Sequence, residues 1–281
     1  MVLVPVLNLV TILVFLTDLK MELKMASSGG GAKKSEVALI VGGGPGISAS
    51  CARLFRREGM TVAVAARTPD KTVLKELENE IGISRYQCDA SQPDSVANLF
   101  ESVGKDHGHP RLVVHNIDGR VPEIFGKGVT EADPNIVVQT VANGALSAFL
   151  VAQKAAMGML ESEPNEEGAL GTIIFTNASA GMKGYPRSGA FAMTCHAKTG
   201  LAQSLARELM PQGIHIAQVP IDAAIGWRQK DGSRAHRRVG ADVDDSLADP
   251  DQIAETYLHL HRQHRSTWAF EIALRPWKEK W

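Results

Sequence analysis

The sequence predicts an α/β chain: a single doubly wound parallel sheet with helices on both faces. Three observations carry this. A five-residue apolar run, Val37 to Val41, leads straight into Gly42-Gly43-Gly44-Pro45-Gly46 and then into a helical stretch, Ala49 to Arg57. Further short apolar runs alternate with longer amphipathic segments, the pattern of parallel strands joined by right-handed crossovers. The 281 residues, 44% of them hydrophobic, are enough for one core of that kind.

The elements follow in order. Gly59 ends the first helix. Thr61–Ala66 is the second strand, 69–81 a polar helix, and Ser84–Cys88 the third strand. Ser91 or Pro93 opens a helix that runs to about Lys105. Arg111–His115 is the fourth strand, and a loop rich in Gly and Pro runs on to about Asp133. Asn135–Leu160 is apolar nearly all round, which predicts a long buried helix. The charged stretch 161–168 is a solvated loop. Gly171–Thr176 is the fifth strand, Ser188 or Gly189 to Met210 a helix and Ile214–Val219 the sixth strand. Residues 225–247 form a long irregular lid, in which mixed charges are solvated or, alternatively, the arginines recognise an anionic substrate or the cofactor phosphate. A helix over 250–264 and a last strand over 268–274 complete the chain.

Upstream of this domain, expected over 36–281, residues 1–35 differ in character. Val2 to Thr17 carries no charge and is polar only at Asn8, Thr11 and Thr17. It is shorter than the ~20 residues of a membrane helix. It also lacks the basic start and cleavage site of a signal peptide. Two readings stand. One is a membrane anchor through 2–17, with Lys20, Lys24, Lys33 and Lys34 keeping the domain on the cytoplasmic side. The other is an extended start before a cytoplasmic domain. Residues 26–34 read as a flexible linker. The net charge of −1 gives no field for nucleic acid. Cys51, Cys88 and Cys195 show no paired spacing, which predicts no disulfide framework, no bound metal and a reducing compartment.

In a parallel sheet of this type ligands bind beyond the carboxyl ends of the strands. Gly42, Gly43, Gly44 and Gly46 form a turn that lets backbone approach a phosphate. The helix start at Ile47 and Ser48 offers unpaired N–H groups and a positive dipole end. Strand, glycine turn and helix in that order predict a dinucleotide pocket. The second strand ends at Ala66, where an acidic side chain would hold a ribose 2′-OH, and Arg67 stands beside it. Arginine without an acid favours a 2′-phosphate, hence NADP(H) over NAD(H). Asp89, with Ala90, ends the third strand, either to meet the adenine amino group or to cap the next helix in an Asx turn. Asn116 ends the fourth strand, placed either to pin the neighbouring turn or simply to cap it.

These residues resemble those of the short-chain dehydrogenase/reductase family, and the resemblance runs from Val37 to about Trp281. Val41-Gly42-Gly43-Gly44-Pro45-Gly46-Ile47-Ser48 is similar to the family's T-G-x-x-x-G-x-G, with Val41 for Thr and Ser48 for the third Gly. Asp89-Ala90 resembles the adenine-contacting Asp-Val. Val114-His115-Asn116-Ile117-Asp118 resembles N-N-A-G, with Asn116 kept and Asp118 in place of Gly. Lys198 resembles the lysine of Y-x-x-x-K. Val219-Pro220-Ile221-Asp222 resembles the Pro-Gly stretch after the sixth strand, which brings Ile221 to the nicotinamide. The resemblance implies a Rossmann fold and hydride transfer between NADP(H) and a small-molecule substrate. The aromatic tail Arg275 to Trp281 reads as a segment that docks on a neighbouring subunit, which gives a homo-oligomer as one further expectation.

It also implies a tyrosine, a lysine, a serine and an asparagine at the reacting centre, and here the pattern breaks. Y-x-x-x-K places Thr194 at the tyrosine, and the Y-x6-K of the superfamily's enoyl reductases places Phe191 there. Residues four and seven apart both share the lysine's helix face, so both registers stay open. Threonine is too weak an acid to replace a phenol, and phenylalanine carries no proton. An ungapped match puts Ala178 at the serine, with Ser179 adjacent, and Gly144 at the asparagine, with Asn143 adjacent. The candidate catalytic set is therefore Lys198, Thr194, Ser179 and Asn143. The expected function is reduction of a small carbonyl or activated alkene with an altered proton donor. The alternative is a catalytically inactive nucleotide-binding regulatory or scaffold protein.

Overall fold

Strand β1 (Val37–Val41) is buried along its whole length, as a run apolar on both faces requires. It pairs in parallel with β2 (Thr61–Ala66) on one side and β4 (Leu112–His115) on the other. With β3 (Ser84–Gln87), β5 (Gly171–Ala178) and β6 (Ile214–Ile221) it makes a six-stranded sheet in the order β3-β2-β1-β4-β5-β6. The order reverses at β1, so the crevice beyond the ends of β1 and β4 is the topological switch point. The computed structural model describes residues 35–280 apart from Arg237. The linker and the 2–17 segment with its membrane reading lie outside the described residues.

Alternate side chains of β1 enter two cores. Ala38 and Ile40 pack with α1 (Ile47–Arg57), α2 (Thr72–Ile81) and α7 (Pro250–Arg262). Val37, Leu39 and Val41 pack with α3 (Pro93–His107), α5 (Ser147–Leu160) and α6 (Gly189–Leu209). These are the two helix layers of a doubly wound sheet.

Three expectations are corrected. The helix predicted over 135–160 is not one regular buried rod. It consists of α4 (Pro134–Val141), a π-turn (Ala142–Leu146) and α5. Gly144 gives the break its room, because a Cβ there would lie 2.2 Å from Thr194 Cγ2. Val138, Leu146, Phe149, Met157 and Leu160 are exposed. By length and composition, 134–160 is the one helix among the described residues that is long and apolar enough to cross a membrane.

The strand predicted over 268–274 meets β6 only in isolated parallel bridges, Gln218 with Glu271 and Ile221 with Leu274. Ile272 N–H reaches Gln218 O and Leu274 N–H reaches Pro220 O, but Pro220 has no N–H to continue the ladder. The lid is not irregular. It folds as an antiparallel sheet of β7 (Trp227–Arg228), β8 (Arg234–His236) and β9 (Gly240–Ala241). Arg234 pairs there with Asp242, Asp245 and Asp249, so these charges hold the hairpin together rather than standing apart in water.

Candidate functional site

The glycine turn closes on neighbouring backbone. Gly42 and Gly43 N–H groups both donate to Ala65 O at 2.9 and 3.0 Å. Gly42 has φ +110°, and a Cβ on it would lie 2.3 Å from Asn116 O. Only glycine fits there. Asn116 Nδ2 donates to Ser48 Oγ at 2.7 Å, and Ser48 Oγ donates to Gly42 O at 2.6 Å. Ser48, where the resemblance expects glycine, is thus the middle link that ties β4 to the turn. Gly46 caps α1 without a side-chain bond, and no acidic residue stands in the first turn. Backbone N–H groups and the dipole there suit a phosphate.

Two clefts open from this turn. The first, about 220 Å³, runs over Ala66, Arg67, Lys71, Asp89, Ala90 and Asn143. Lys71 Nζ donates to Gly43 O at 3.0 Å. Burial and the charge of Arg67 hold the Lys71 ammonium below the usual lysine range. Two cations therefore converge at the end of β2. Asp89 Oδ1 accepts from Ser91 N and Ser91 Oγ, so that oxygen makes the Asx turn.

The second cleft, about 630 Å³, passes from Gly44, Gly46, Ile47 and Ser48 to Lys198, Phe191 and Ile221, with the lid above it. Lys198 is 2% exposed, and its Nζ donates to Thr176 O at 3.1 Å and Ile117 O at 3.4 Å. Burial holds its ammonium below the usual range, and Cys195 and Asp118 pull it part of the way back. Asp118 and Arg120 make a bidentate pair at 2.6 and 2.5 Å. Desolvation raises the Asp118 carboxyl, but the hydrogen bonds and charge of Arg120 outweigh it, so the group sits below its ordinary value. The Arg120 guanidinium lies 3.8 Å from the Phe191 ring centroid and 4.8 Å from that of Phe125.

The four candidate catalytic residues are not gathered round Lys198. Thr194 is fully buried, donates to Ala190 O at 2.9 Å and lines neither cleft. Phe191, two turns before the lysine, is the residue of that helix face that shares the cleft with it. Ser179 Oγ accepts from Tyr185 OH at 2.9 Å, in a cluster with Asp222 and Lys183 outside the lining of either cleft, while its neighbour Ala178 lines the second. Asn143 Nδ2 reaches Gly119 O at 3.3 Å, from the π-turn. Behind Lys198, His115 is fully buried, and its Nε2 is 2.9 Å from Ser147 Oγ. Burial, then the Lys198 charge, lowers its pKa to about 3, so the ring is neutral.

Lys71 and Arg120 were invisible as site residues in the sequence. The only signal for Lys71 is its place four residues after Arg67 in the turn that follows β2. Arg120 had none, because its two aromatic partners stand 66 residues apart in the chain. Among the described residues no group of three or more His, Cys, Asp and Glu has the arrangement of a metal site.

Residues 42–268 match a family model described as enoyl-(acyl carrier protein) reductase. A short chain aldehyde dehydrogenase 1 of Euphorbia lathyris is 28% identical over 188 residues, covering 65% of this chain and 62% of that protein. The chain spans less than two thirds of the length of the first curated relatives it matches, 62 to 64%. Among solved structures, a short-chain dehydrogenase from Rhodopseudomonas palustris is 26% identical with a TM-score of 0.69, covering 88% of this chain and all of that one. A metagenomic short-chain oxidoreductase in complex with NADP shares the fold at 24% identity, with a TM-score of 0.70 and the same coverage of 88% and 100%.

Proposed function

The chain belongs to the short-chain dehydrogenase/reductase family, and from that premise we propose that it is an NADP(H)-dependent oxidoreductase acting on a small carbonyl or activated alkene. The observation that carries the cofactor choice is the pair of cations, Arg67 and Lys71, lining the first cleft where the end of β2 has no acid. A 2′-phosphate would lie on these two, the pyrophosphate on the uncapped start of α1, and the nicotinamide end toward Lys198 and Ile221. Asp89, Ala90 and Asn116 complete the proposed wall. The neighbour solved with NADP is consistent with this choice.

When bound, the nicotinamide supplies or accepts the hydride. The chain's own part is to hold both reactants in line and to manage charge. Lys198 is held beside the crevice by the Thr176 and Ile117 carbonyls, and the Asp118 carboxylate offsets part of the cost of burying its charge. Phe191 offers no proton, so we assign protonation of the product to a group other than a tyrosine on this helix face. The direct test is a titration of the full chain with NADPH and NADH, followed by fluorescence. NADPH should bind at least about tenfold tighter, the size of one charge-assisted contact. Arg67→Ala should remove most of that preference. Equal affinity for both nucleotides would overturn it.

A specific observation favours a second reading, a nucleotide-binding regulatory protein without turnover: neither residue in a tyrosine register, Thr194 or Phe191, can donate a proton as tyrosine does. NADPH binding without oxidation by any member of a carbonyl and enone panel would decide for it. We infer a homo-oligomer from the exposed apolar stripe of Leu146, at the end of the π-turn, with Phe149, Met157 and Leu160 on α5. Free, buried Cys51, Cys88 and Cys195 fit a cytoplasmic setting.

A further inference from the structure

A third cavity lies beside the cleft and has no part in the chemistry derived above. It holds about 470 Å³ and shares two lining residues, Arg120 and Phe191, with the second cleft, where Lys198 stands. Its apolar walls come from three separate parts of the chain. Ile124 and Phe125 belong to the loop after β4, Val137 to α4 and Met193 to the first turns of α6. A concave space of that volume with aliphatic and aromatic walls suits a small organic body.

One strained residue ties two of these parts together. Arg187, just before α6, has φ +59°, in the left-handed region that side chains rarely adopt. Its Nε donates to Gly126 O at 2.6 Å and its Nη2 pairs with Glu131 at 2.6 Å, which links the start of α6 to the loop. Arg187 and Gly126 both line the cavity. Backbone strain of this kind persists where the surroundings hold it, and it collects at ligand sites.

The charges of the lining decide what class of ligand fits. Arg120 is paired with Asp118 and lies against the rings of Phe125 and Phe191. Arg187 is paired with Glu131, and Lys127 is exposed, with its ammonium in water. Both guanidinium charges are thus already met by carboxylates. What the cavity offers is hydrocarbon and ring surface, which gains by taking apolar area out of water.

We propose that this cavity receives the apolar body of the substrate, which passes the Arg120–Phe191 stack and leaves its reacting carbon in the cleft of Lys198. The substrate is then an uncharged ketone, aldehyde or enone carrying an aromatic or aliphatic group of the size of benzyl or hexyl. The reacting end rests on the oxidoreductase reading; the apolar site is measured without turnover.

The experiment titrates three ketones into the full chain by calorimetry, with and without NADPH. Butanone is the bare reacting end. Benzylacetone adds a phenyl group to its far carbon, and levulinate adds a carboxylate there. NADPH binding is titrated separately, so a failure of the cofactor reading shows there and not in the ketone data. Benzylacetone should bind at least about tenfold tighter than butanone, and levulinate no tighter than butanone. Val137→Asp and Met193→Asp should each weaken benzylacetone at least about fivefold and leave NADPH affinity within about twofold of the wild type. Met193 is 59% exposed, so its variant stays informative even where Val137→Asp disturbs folding. Equal affinity for benzylacetone and butanone, as when a second copy of the chain covers the cavity, would overturn the proposal. So would levulinate binding more tightly than benzylacetone, or unchanged benzylacetone affinity in Met193→Asp.

Discussion

Restoring a tyrosine separates the two registers on Lys198's helix face, because the two positions differ in room. Thr194 is fully buried, and its methyl packs so closely on Gly144 that a Cβ at Gly144 would come within 2.2 Å. A phenol ring at 194 has to displace the π-turn or shift α6. Overpacking a closed core costs about 1–3 kcal/mol and sometimes more, and this contact leaves no slack, so Thr194→Tyr belongs at about 3 kcal/mol or above. For a domain of this size that lowers the melting temperature by roughly 6–12 °C. Phe191→Tyr adds one hydroxyl to a ring that already lines the cleft beside Lys198, and should stay within about 1 kcal/mol of the wild type. Thermal melting of both variants measures this. NADPH consumption over a carbonyl panel should rise only in Phe191→Tyr, since that phenol shares the cleft with a cation able to lower its pKa. A Thr194→Tyr protein that melts with the wild type and gains activity would refute the argument and return the site to the shorter register.

Three further predictions concern stability and assembly. His115 titrates at about 3 in the fold against 6.5 as its ordinary value, so the unfolded chain binds a proton that the native one refuses as pH falls below 6.5. Its contribution should cost about 2 kcal/mol between pH 7.5 and 5, seen in urea unfolding, and His115→Gln should flatten that slope; an unchanged slope would sink the assignment. Ser48→Ala leaves Asn116 Nδ2 and Gly42 O without their shared partner, and should lower stability by about 1–3 kcal/mol and weaken NADPH binding. Phe149→Glu on the exposed stripe should shift the chain toward monomer in light scattering without moving its far-ultraviolet spectrum; an unchanged mass would exclude that face as the contact.

The sheet was legible because its strands, the edge strand β3 apart, are largely buried on both faces, and a run such as Val37 to Val41 has few other places to go. The glycine turn was legible because Gly42 answers a steric demand that no other residue meets. Periodicity says which side chains share a face, but not what closes over them. Residues 135–160 read as buried from their apolar character, yet that character does not say whether the cover comes from the same chain, and Leu146, Phe149, Met157 and Leu160 are left outside. The same limit governs the catalytic register. Positions 191 and 194 both lie on Lys198's side of the helix at 3.6 residues per turn. What divides them is Gly144, which lets α6 and the π-turn close on Thr194 and leaves Phe191 at the cleft under Arg120. A glycine 50 residues upstream thus decides which residue faces the cleft. That contact is tertiary, and no local pattern around Lys198 contains it.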